Sequence, residues 1–287
     1  MQIVQMNTRL DRLSALLEGV APVFSIFEQG EPRPSDGTSP TLTGLSLAVL
    51  IYPIASGQPA GPLAAAPQRP SLWIVPLSGL KDKGWAQDAD SPDPICIRAQ
   101  LTGPLGPLLM EEFAQPIGLH VDANEPALSS PMSLIEQEVH HPRCGQPALL
   151  KSAGDILFIG ILRHLVAHPK PERPGLLRAL SDVRIAKALV AMHQAPHLDW
   201  NLSALALEAG MSRTSFAMTF KKAMNKSPGK YLVAIRLALA RRAIEGGKTV
   251  KEAARISGYG NPASIARALK SKAHPITPFG IGDQAPN

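Results

Sequence analysis

Short apolar runs separated by turn-forming residues dominate the first part of the chain and predict β-strands. Four of these runs have the length of a strand: residues 45–52, 71–77, 95–101 and 116–122. Residues 56–70 and 81–94, which lie between them, are rich in glycine, proline and charged residues and are predicted to be loops. Regularly spaced short strands with such turns are typical of a β-sandwich or a small barrel.

The pattern becomes helical near residue 129. Helices are predicted at residues 129–141, 147–168, 181–194, 202–209, 212–224, 228–245, 249–257 and 262–272. The helix at 147–168 is apolar nearly all round, so we expect it to be fully buried or to share a face with another subunit. Residues 169–175, which are proline-rich and charged, predict a linker between two domains.

Proline and charge are distributed unevenly along the chain. Of the 28 prolines, 22 lie in residues 1–174, which therefore cannot consist mainly of long helices. Residues 1–174 hold 12 basic and 17 acidic side chains, a net charge of −5, whereas residues 175–287 hold 17 and 6, a net charge of +11. This division indicates a polyanionic partner for the basic half, although a solvated basic surface has the same composition.

Residues 202–224 have the pattern of a helix-turn-helix. A short helix is predicted to begin with Ser203 as its cap and to end at Gly210, which can adopt the left-handed conformation that stops a helix. Ser212 is predicted to cap the next helix. Phe216, together with the residue four positions later, supplies an apolar inward face. These features predict a recognition helix with basic residues at its end.

The same pattern recurs in residues 250–270. The corresponding residues are Ala206 and Ala254, Gly210 and Gly258, Phe216 and Ile265, and Phe220 and Leu269. The two glycines lie 48 residues apart and the apolar pairs 49, so the second turn is predicted to be one residue longer. Two such units joined by one amphipathic helix, residues 231–245, are a far more specific signal than one.

With these residues in place, the sequence resembles the AraC/XylS family of transcriptional regulators. The resemblance is carried by Ala206-x-x-x-Gly210-Met211-Ser212, Phe216-x-x-x-Phe220-Lys221, Ser227-Pro228-x-x-Tyr231, Arg236-x-x-x-Ala240 with Ile244, and the run 250–259. It implies a DNA-binding domain at residues 178–280, with helix-turn-helix units at 202–224 and 250–272. It also implies that the two recognition helices enter adjacent major-groove segments of double-stranded DNA, about 34 Å apart.

The resemblance assigns nine residues to DNA contact. Thr214, Ala217, Met218, Ala263 and Arg267 would face base edges, and Ser212, Arg213, Lys221 and Lys270 would face the phosphate backbone. Arg267 is the strongest candidate for specific recognition, because a guanidinium can donate to O6 and N7 of guanine together.

The second unit departs from the family pattern. The family usually has aromatic residues where this chain has Ile265, Leu269 and Ala273. The sequence therefore leaves open whether the second unit reads bases or only contacts phosphates.

Residues 1–168 resemble the cupin-type sensor domains of many of these regulators in the order of their elements. The resemblance implies an α+β chain in which a small β-barrel and a helix pair precede residues 169–177, the linker, and the all-α DNA-binding domain. It further implies a small-molecule effector bound by the barrel, a homodimer formed through helices 129–168, and RNA polymerase as an additional partner.

Enzymatic and metal chemistry is not indicated by the residues. Residues 1–119 contain no histidine, and Cys96 and Cys144 are isolated, so neither a cupin metal site nor a zinc site is expected. His140 and His141 are adjacent and would diverge on a helix. No catalytic motif, cofactor site, signal peptide or membrane span is predicted, and the cytoplasm is the expected location.

Three hypotheses remain. The leading one is a regulator whose DNA binding responds to a small molecule bound by the N-terminal domain. The second is a constitutive DNA-binding regulator whose N-terminal domain only oligomerises. The third is an enzyme with an appended DNA-binding domain, such as a repair methyltransferase with a zinc-bound cysteine, which the isolated cysteines disfavour.

Overall fold

A computed structural model describes residues 11–26, 46–52, 71–77, 94–122, 125–259 and 261–271, except for the side chains of Pro262, Lys270 and Ser271. The predicted loop at 56–70 lies outside the described residues, as does the loop at 81–94 apart from Pro94. Ala273 also lies outside them.

The described strands form one antiparallel sheet. Its members are β1 (Pro22–Ile26), β2 (Ser46–Ile51), β3 (Leu72–Pro76), β4 (Ile95–Leu101) and β5 (Ile117–Leu119), in the order β1-β4-β2-β3-β5. Four of them coincide with the predicted strands. β1 was missed, because it is a five-residue run that begins with a proline.

The prediction of a small closed barrel is wrong for the described strands, which form an open sheet with β1 and β5 at its edges. A helix covers this sheet where a barrel would use further strands. The ring of Phe158 lies 5.6 Å from the ring of Phe24 on β1. Gly154 allows α4 to lie this close to β1, because a Cβ at that position would lie only 2.7 Å from the Phe24 ring.

Eleven α-helices are present in the described residues. They are α1 (Ser14–Val20), α2 (Gly106–Met110), α3 (Pro126–His140), α4 (Gln146–Ala167), α5 (Leu176–Ser181), α6 (Val183–Gln194), α7 (Leu202–Glu208), α8 (Arg213–Met224), α9 (Pro228–Glu245), α10 (Val250–Ser257) and α11 (Pro262–Ser271). A 3₁₀ turn, Glu111–Phe113, follows α2. Every helix predicted after residue 129 is confirmed to within a few residues, while α5 is a separate short helix that the sequence did not distinguish from α6.

One hydrophobic core runs from the sheet to the first helix-turn-helix unit. It includes Ile74 of the sheet, Phe158 of α4, Leu177 of α5 and Phe216 of α8. The predicted burial of α4 holds for its inner face only, since Ile156 is 54 % exposed. The junction between the two halves of the chain is therefore packed as part of a common interior.

Candidate nucleic-acid interface

The first helix-turn-helix unit consists of α7, α8 and the turn between them. Gly210 has φ +62°, in the left-handed region, as predicted. Ser212 caps α8 by accepting a hydrogen bond from the backbone N–H of Ser215 at 3.2 Å. The predicted cap of α7 is wrong: Ser203 lies inside the helix, and Asn201 accepts from the N–H of Ala204 at 2.9 Å. Asparagine is at least as good a cap as serine, and it precedes the first helical residue.

The inward face of this unit is aromatic. Phe216 and Phe220 are fully buried, and their ring centroids lie 5.6 Å apart. The four-residue spacing places them on one side of α8, against buried Leu205 and Ala206 of α7. The prediction of this inward face is confirmed.

Burial of these rings leaves the opposite side of α8 open to solvent. Ser212, Arg213, Thr214, Met218 and Lys221 are all exposed, and Ala217 is half-buried. Met218 is 69 % exposed, which is unusual for a large apolar side chain and places a thioether among polar and basic neighbours. Lys222 is also exposed at the end of the helix, although the sequence assigned it no DNA contact.

The second unit repeats the turn of the first. The N–H of Tyr259 donates to the carbonyl of Ala254 at 2.9 Å, as the N–H of Met211 donates to that of Ala206 at 2.9 Å. Gly258 has φ +74°. α11 begins four residues after this glycine, whereas α8 begins three residues after Gly210, which confirms the longer second turn.

A capping box starts α10. Thr249 accepts from the N–H of Glu252, and the Glu252 carboxylate accepts in return from the N–H of Thr249 at 2.9 Å. The hydrogen bonds that the Glu252 carboxylate accepts from the N–H and the hydroxyl of Thr249 hold the pKa of Glu252 below its usual range. Sequence analysis missed this feature, although the Thr-x-x-Glu spacing is a readable signal for it.

The predicted contact residues of the second unit lie on α11. Ala263 and Arg267 are exposed, and the aliphatic Ile265 that replaces an aromatic residue is fully buried. Lys270 belongs to α11, but its side chain lies outside the described residues. Each unit therefore offers an exposed helix surface, while the distance of about 34 Å between them stays a prediction.

A polar pair, formed by partly buried His193 and buried Tyr231, lies beneath the first unit. Nε2 of His193 on α6 is 2.8 Å from the hydroxyl oxygen of Tyr231 on α9. Burial lowers the pKa of His193 to about 4 and raises the pKa of Tyr231, so both side chains are neutral near pH 7.

The N-terminal half touches the first unit through the 3₁₀ turn. Glu112 accepts a hydrogen bond from the N–H of Leu176, and Glu111 pairs with Lys226 just after α8. Burial raises the pKa of Glu112, although the hydrogen bond from the N–H of Leu176 acts in the opposite direction. The N–H of Gly175 donates to the carbonyl of Ala223 in the last turn of α8 at 2.8 Å. A change in the 3₁₀ turn can therefore reach the end of α8 indirectly, through Leu176 and Gly175 and through Lys226.

Nowhere in the described ranges do three or more His, Cys, Asp or Glu side chains come together as a metal ion would require. The described helices also include none that combines the length and apolar character needed to cross a membrane.

Comparison with protein families finds two domains. A helix-turn-helix domain matches residues 205–274, and a cupin domain matches residues 54–167. The first is of the AraC type, so the resemblance stated from the sequence is confirmed at the level of both domains. Part of the cupin match, residues 54–70, 78–93 and 123–124, lies outside the described residues.

Comparison with curated proteins finds transcription regulators. An AraC-like transcription regulator of Streptomyces lividans is 31% identical over 156 residues, covering 53% of this chain and 51% of the relative. An HTH-type transcriptional regulator of Haemophilus influenzae is 30% identical over 159 residues, covering 55% and 53%. The HTH-type transcriptional regulator AlkR of Acinetobacter baylyi is 26% identical over 137 residues, covering 47% and 44%. The chain thus spans about half the length of these relatives, and no solved structure matches it significantly.

Proposed function

We propose that this chain, in which an AraC-type helix-turn-helix domain follows a cupin domain, is a sequence-specific DNA-binding regulator of transcription. The observation that carries the proposal is the repeated turn. Two glycines 48 residues apart have the same left-handed backbone, and each is followed by an exposed helix. A chain that presents two such helices from a half with net charge +11 is suited to two major-groove segments.

The two recognition helices have different chemistry. On α8, Ala217 and Met218 offer apolar contact, for instance to a thymine methyl, while Arg213 and Lys221 offer charge to phosphates. On α11, Arg267 is the residue we assign to a guanine, and Lys270 the one we assign to the backbone. Ser212, Thr214 and Ala263 complete the proposed contacts.

Binding of full-length protein to duplex DNA at graded salt tests this proposal. Random duplexes would be selected with the wild type, and the affinity for the selected duplex would be measured between 50 and 200 mM salt. We expect Lys221→Ala to reduce the salt slope by about one, whereas Arg267→Ala should also relax the preference at one base position. Lys170→Ala, which removes an exposed positive charge from the linker outside α3 and α4, serves as the control. Absence of salt-dependent affinity for any duplex would refute the proposal.

The N-terminal half is proposed to bind a small-molecule effector. The cupin match and the contacts of Glu111 with Lys226 and of Glu112 with Leu176 support this, because they supply a domain type and a route for coupling. A thermal-shift screen of small metabolites tests it, since a ligand that prefers the native state raises the melting temperature. A ligand that stabilises the protein should also change its affinity for the selected duplex. If no ligand both raises the melting temperature and changes the affinity for the duplex, the result favours a constitutive DNA-binding regulator whose N-terminal domain only oligomerises.

We also propose that α3 and α4 form a homodimer interface. Ile156, on the outer side of α4, is 54 % exposed and supports this assignment. Ile156→Lys is expected to shift the full-length protein from dimer to monomer in sedimentation velocity. An unchanged sedimentation coefficient would place the interface elsewhere.

A further inference from the structure

The second helix-turn-helix unit has a small core of its own. It consists of Ala240, Ala254 and Ile265, with Tyr259 and Leu269 packed against them. The first unit instead shares the large core that continues into the N-terminal half. Two of the three buried residues in the small core are alanines, so apolar burial alone holds the second unit weakly. Its placement relative to the first unit must depend on additional contacts.

One such contact is made by the turn between α6 and α7, residues 195–200, here called the α6–α7 turn. Arg236 of α9 donates from Nε to the carbonyl of Pro196 at 2.8 Å and from Nη2 to that of Leu198 at 2.7 Å. The indole N–H of Trp200 donates to the carbonyl of Ala195 at 2.8 Å. Two charge-assisted hydrogen bonds to carbonyls two residues apart fix both the distance and the orientation of this turn against α9.

The second unit contacts the same turn. A Cβ added to Gly258 would lie 2.5 Å from Cα and 3.0 Å from the carbonyl carbon of His197, at the centre of the α6–α7 turn. Tyr259 follows directly and packs against the small core that contains Ala240 of α9. The turn of the second unit, the α6–α7 turn and α9 therefore meet at one point.

We propose that Arg236 and Gly258 are positioning residues, which hold the second recognition helix against the α6–α7 turn and so set the spacing and helical phase of the two DNA segments that the chain reads. The inference rests on the proposed DNA binding. One inserted base pair displaces the second segment by about 3.4 Å and rotates it by about 35°. A protein held rigidly at this junction cannot follow that displacement without losing contacts.

The chain offers a matched control for each residue. Gly258→Ala and Gly210→Ala both place a Cβ on a left-handed residue, with φ +74° and +62°, and so cost similar backbone strain. Nothing lies within 4 Å of the Cβ position at Gly210, so only the change at Gly258 disturbs the junction. Arg242, an exposed residue on α9, is the control for Arg236, because Arg242→Ala removes the same charge from the same helix.

The experiment measures affinity against spacing. The full-length wild type selects a duplex from a random library, footprinting locates its two contact segments, and duplexes with one or two base pairs inserted between them are compared by fluorescence anisotropy. We expect the wild type, Gly210→Ala and Arg242→Ala to lose about tenfold or more in affinity for each insertion. For Gly258→Ala and Arg236→Ala, we expect weaker binding to the original duplex and a loss on insertion below about threefold.

The outcomes separate the two proposals. If the wild type binds no duplex, the proposed function fails. If it binds but tolerates insertions, or if Gly258→Ala and Arg236→Ala keep its full dependence on spacing, the positioning role is refuted. Should either variant fail to fold by circular dichroism, Arg236→Lys decides, because lysine keeps the charge but cannot reproduce the two-donor contact. Retention of the wild-type spacing dependence by Arg236→Lys would then overturn the inference.

Discussion

Acidification from pH 7.5 to 4.5 should destabilise the C-terminal half of the protein through His193. This side chain is partly buried, its ring nitrogen lies 2.8 Å from the hydroxyl of Tyr231, and the loss of solvation lowers its pKa to about 4. In the unfolded chain the same group has a pKa near 6.5. The unfolded state therefore takes up a proton first as the pH falls, and the native state loses stability from about pH 6.5 downward to about pH 4.

The size of the effect follows from the two pKa values. The interval between 6.5 and about 4 corresponds to about 3 kcal/mol once both states are protonated. Most of this should already be lost at pH 4.5, where the unfolded state is almost fully protonated and the native state only in part. This is a large share of the stability of an ordinary domain, about 5–15 kcal/mol.

Urea unfolding of full-length protein at pH 7.5, 6.5, 5.5 and 4.5 measures the loss. Other groups titrate over the same range, so the informative quantity is the difference between wild type and His193→Gln, which removes this titration alone. We expect the wild type to lose about 2–3 kcal/mol more than His193→Gln. His141→Gln, a change at an exposed histidine, should follow the wild type. Parallel pH profiles for wild type and His193→Gln, or an NMR titration of His193 near pH 6.5, would refute the reasoning.

Three further predictions concern individual contacts, and two of them compare a pair of substitutions. Phe216→Ala should lower the free energy of urea unfolding by about 3–5 kcal/mol, because the ring is fully buried. Met218→Ala, at a side chain that is 69 % exposed, should change it by no more than about 0.5 kcal/mol. Equal losses would contradict the assignment of the two faces of α8. Ser212→Ala should cost about 1 kcal/mol in thermal unfolding through loss of the α8 cap, and no change would show that the cap is unimportant. Glu112→Ala should lower the free energy of unfolding by about 1–3 kcal/mol and accelerate proteolysis near residue 175, because the N–H of Leu176 loses its partner. Glu111→Ala, which removes an exposed ion pair, should lower it by less than about 1 kcal/mol. The reverse order would disprove this view of the junction.

The C-terminal elements were predictable because their determinants are local. Helix ends depend on capping residues and left-handed glycines within a few positions, as at Ser212 and Gly258, and inward faces depend on spacings of three to four residues, as at Phe216. The 48-residue repeat then indicated two units of one kind. Ser203 was misassigned as a cap because several residue types cap helices and the pattern alone did not separate it from Asn201.

The sequence by itself therefore determined α3, α4 and the helices from α6 onward, the repeated turn and the exposed residues of α8 and α11. Only the tertiary structure decided the order β1-β4-β2-β3-β5, the open sheet, the contact of Glu112 with Leu176 and the hold of Arg236 on the α6–α7 turn. These partners lie 38 to 64 residues apart along the chain, or belong to strands separated by long segments. The periodicity of apolar residues predicts which side of an element is buried. It does not predict which residues cover that side, because these depend on how the whole chain packs.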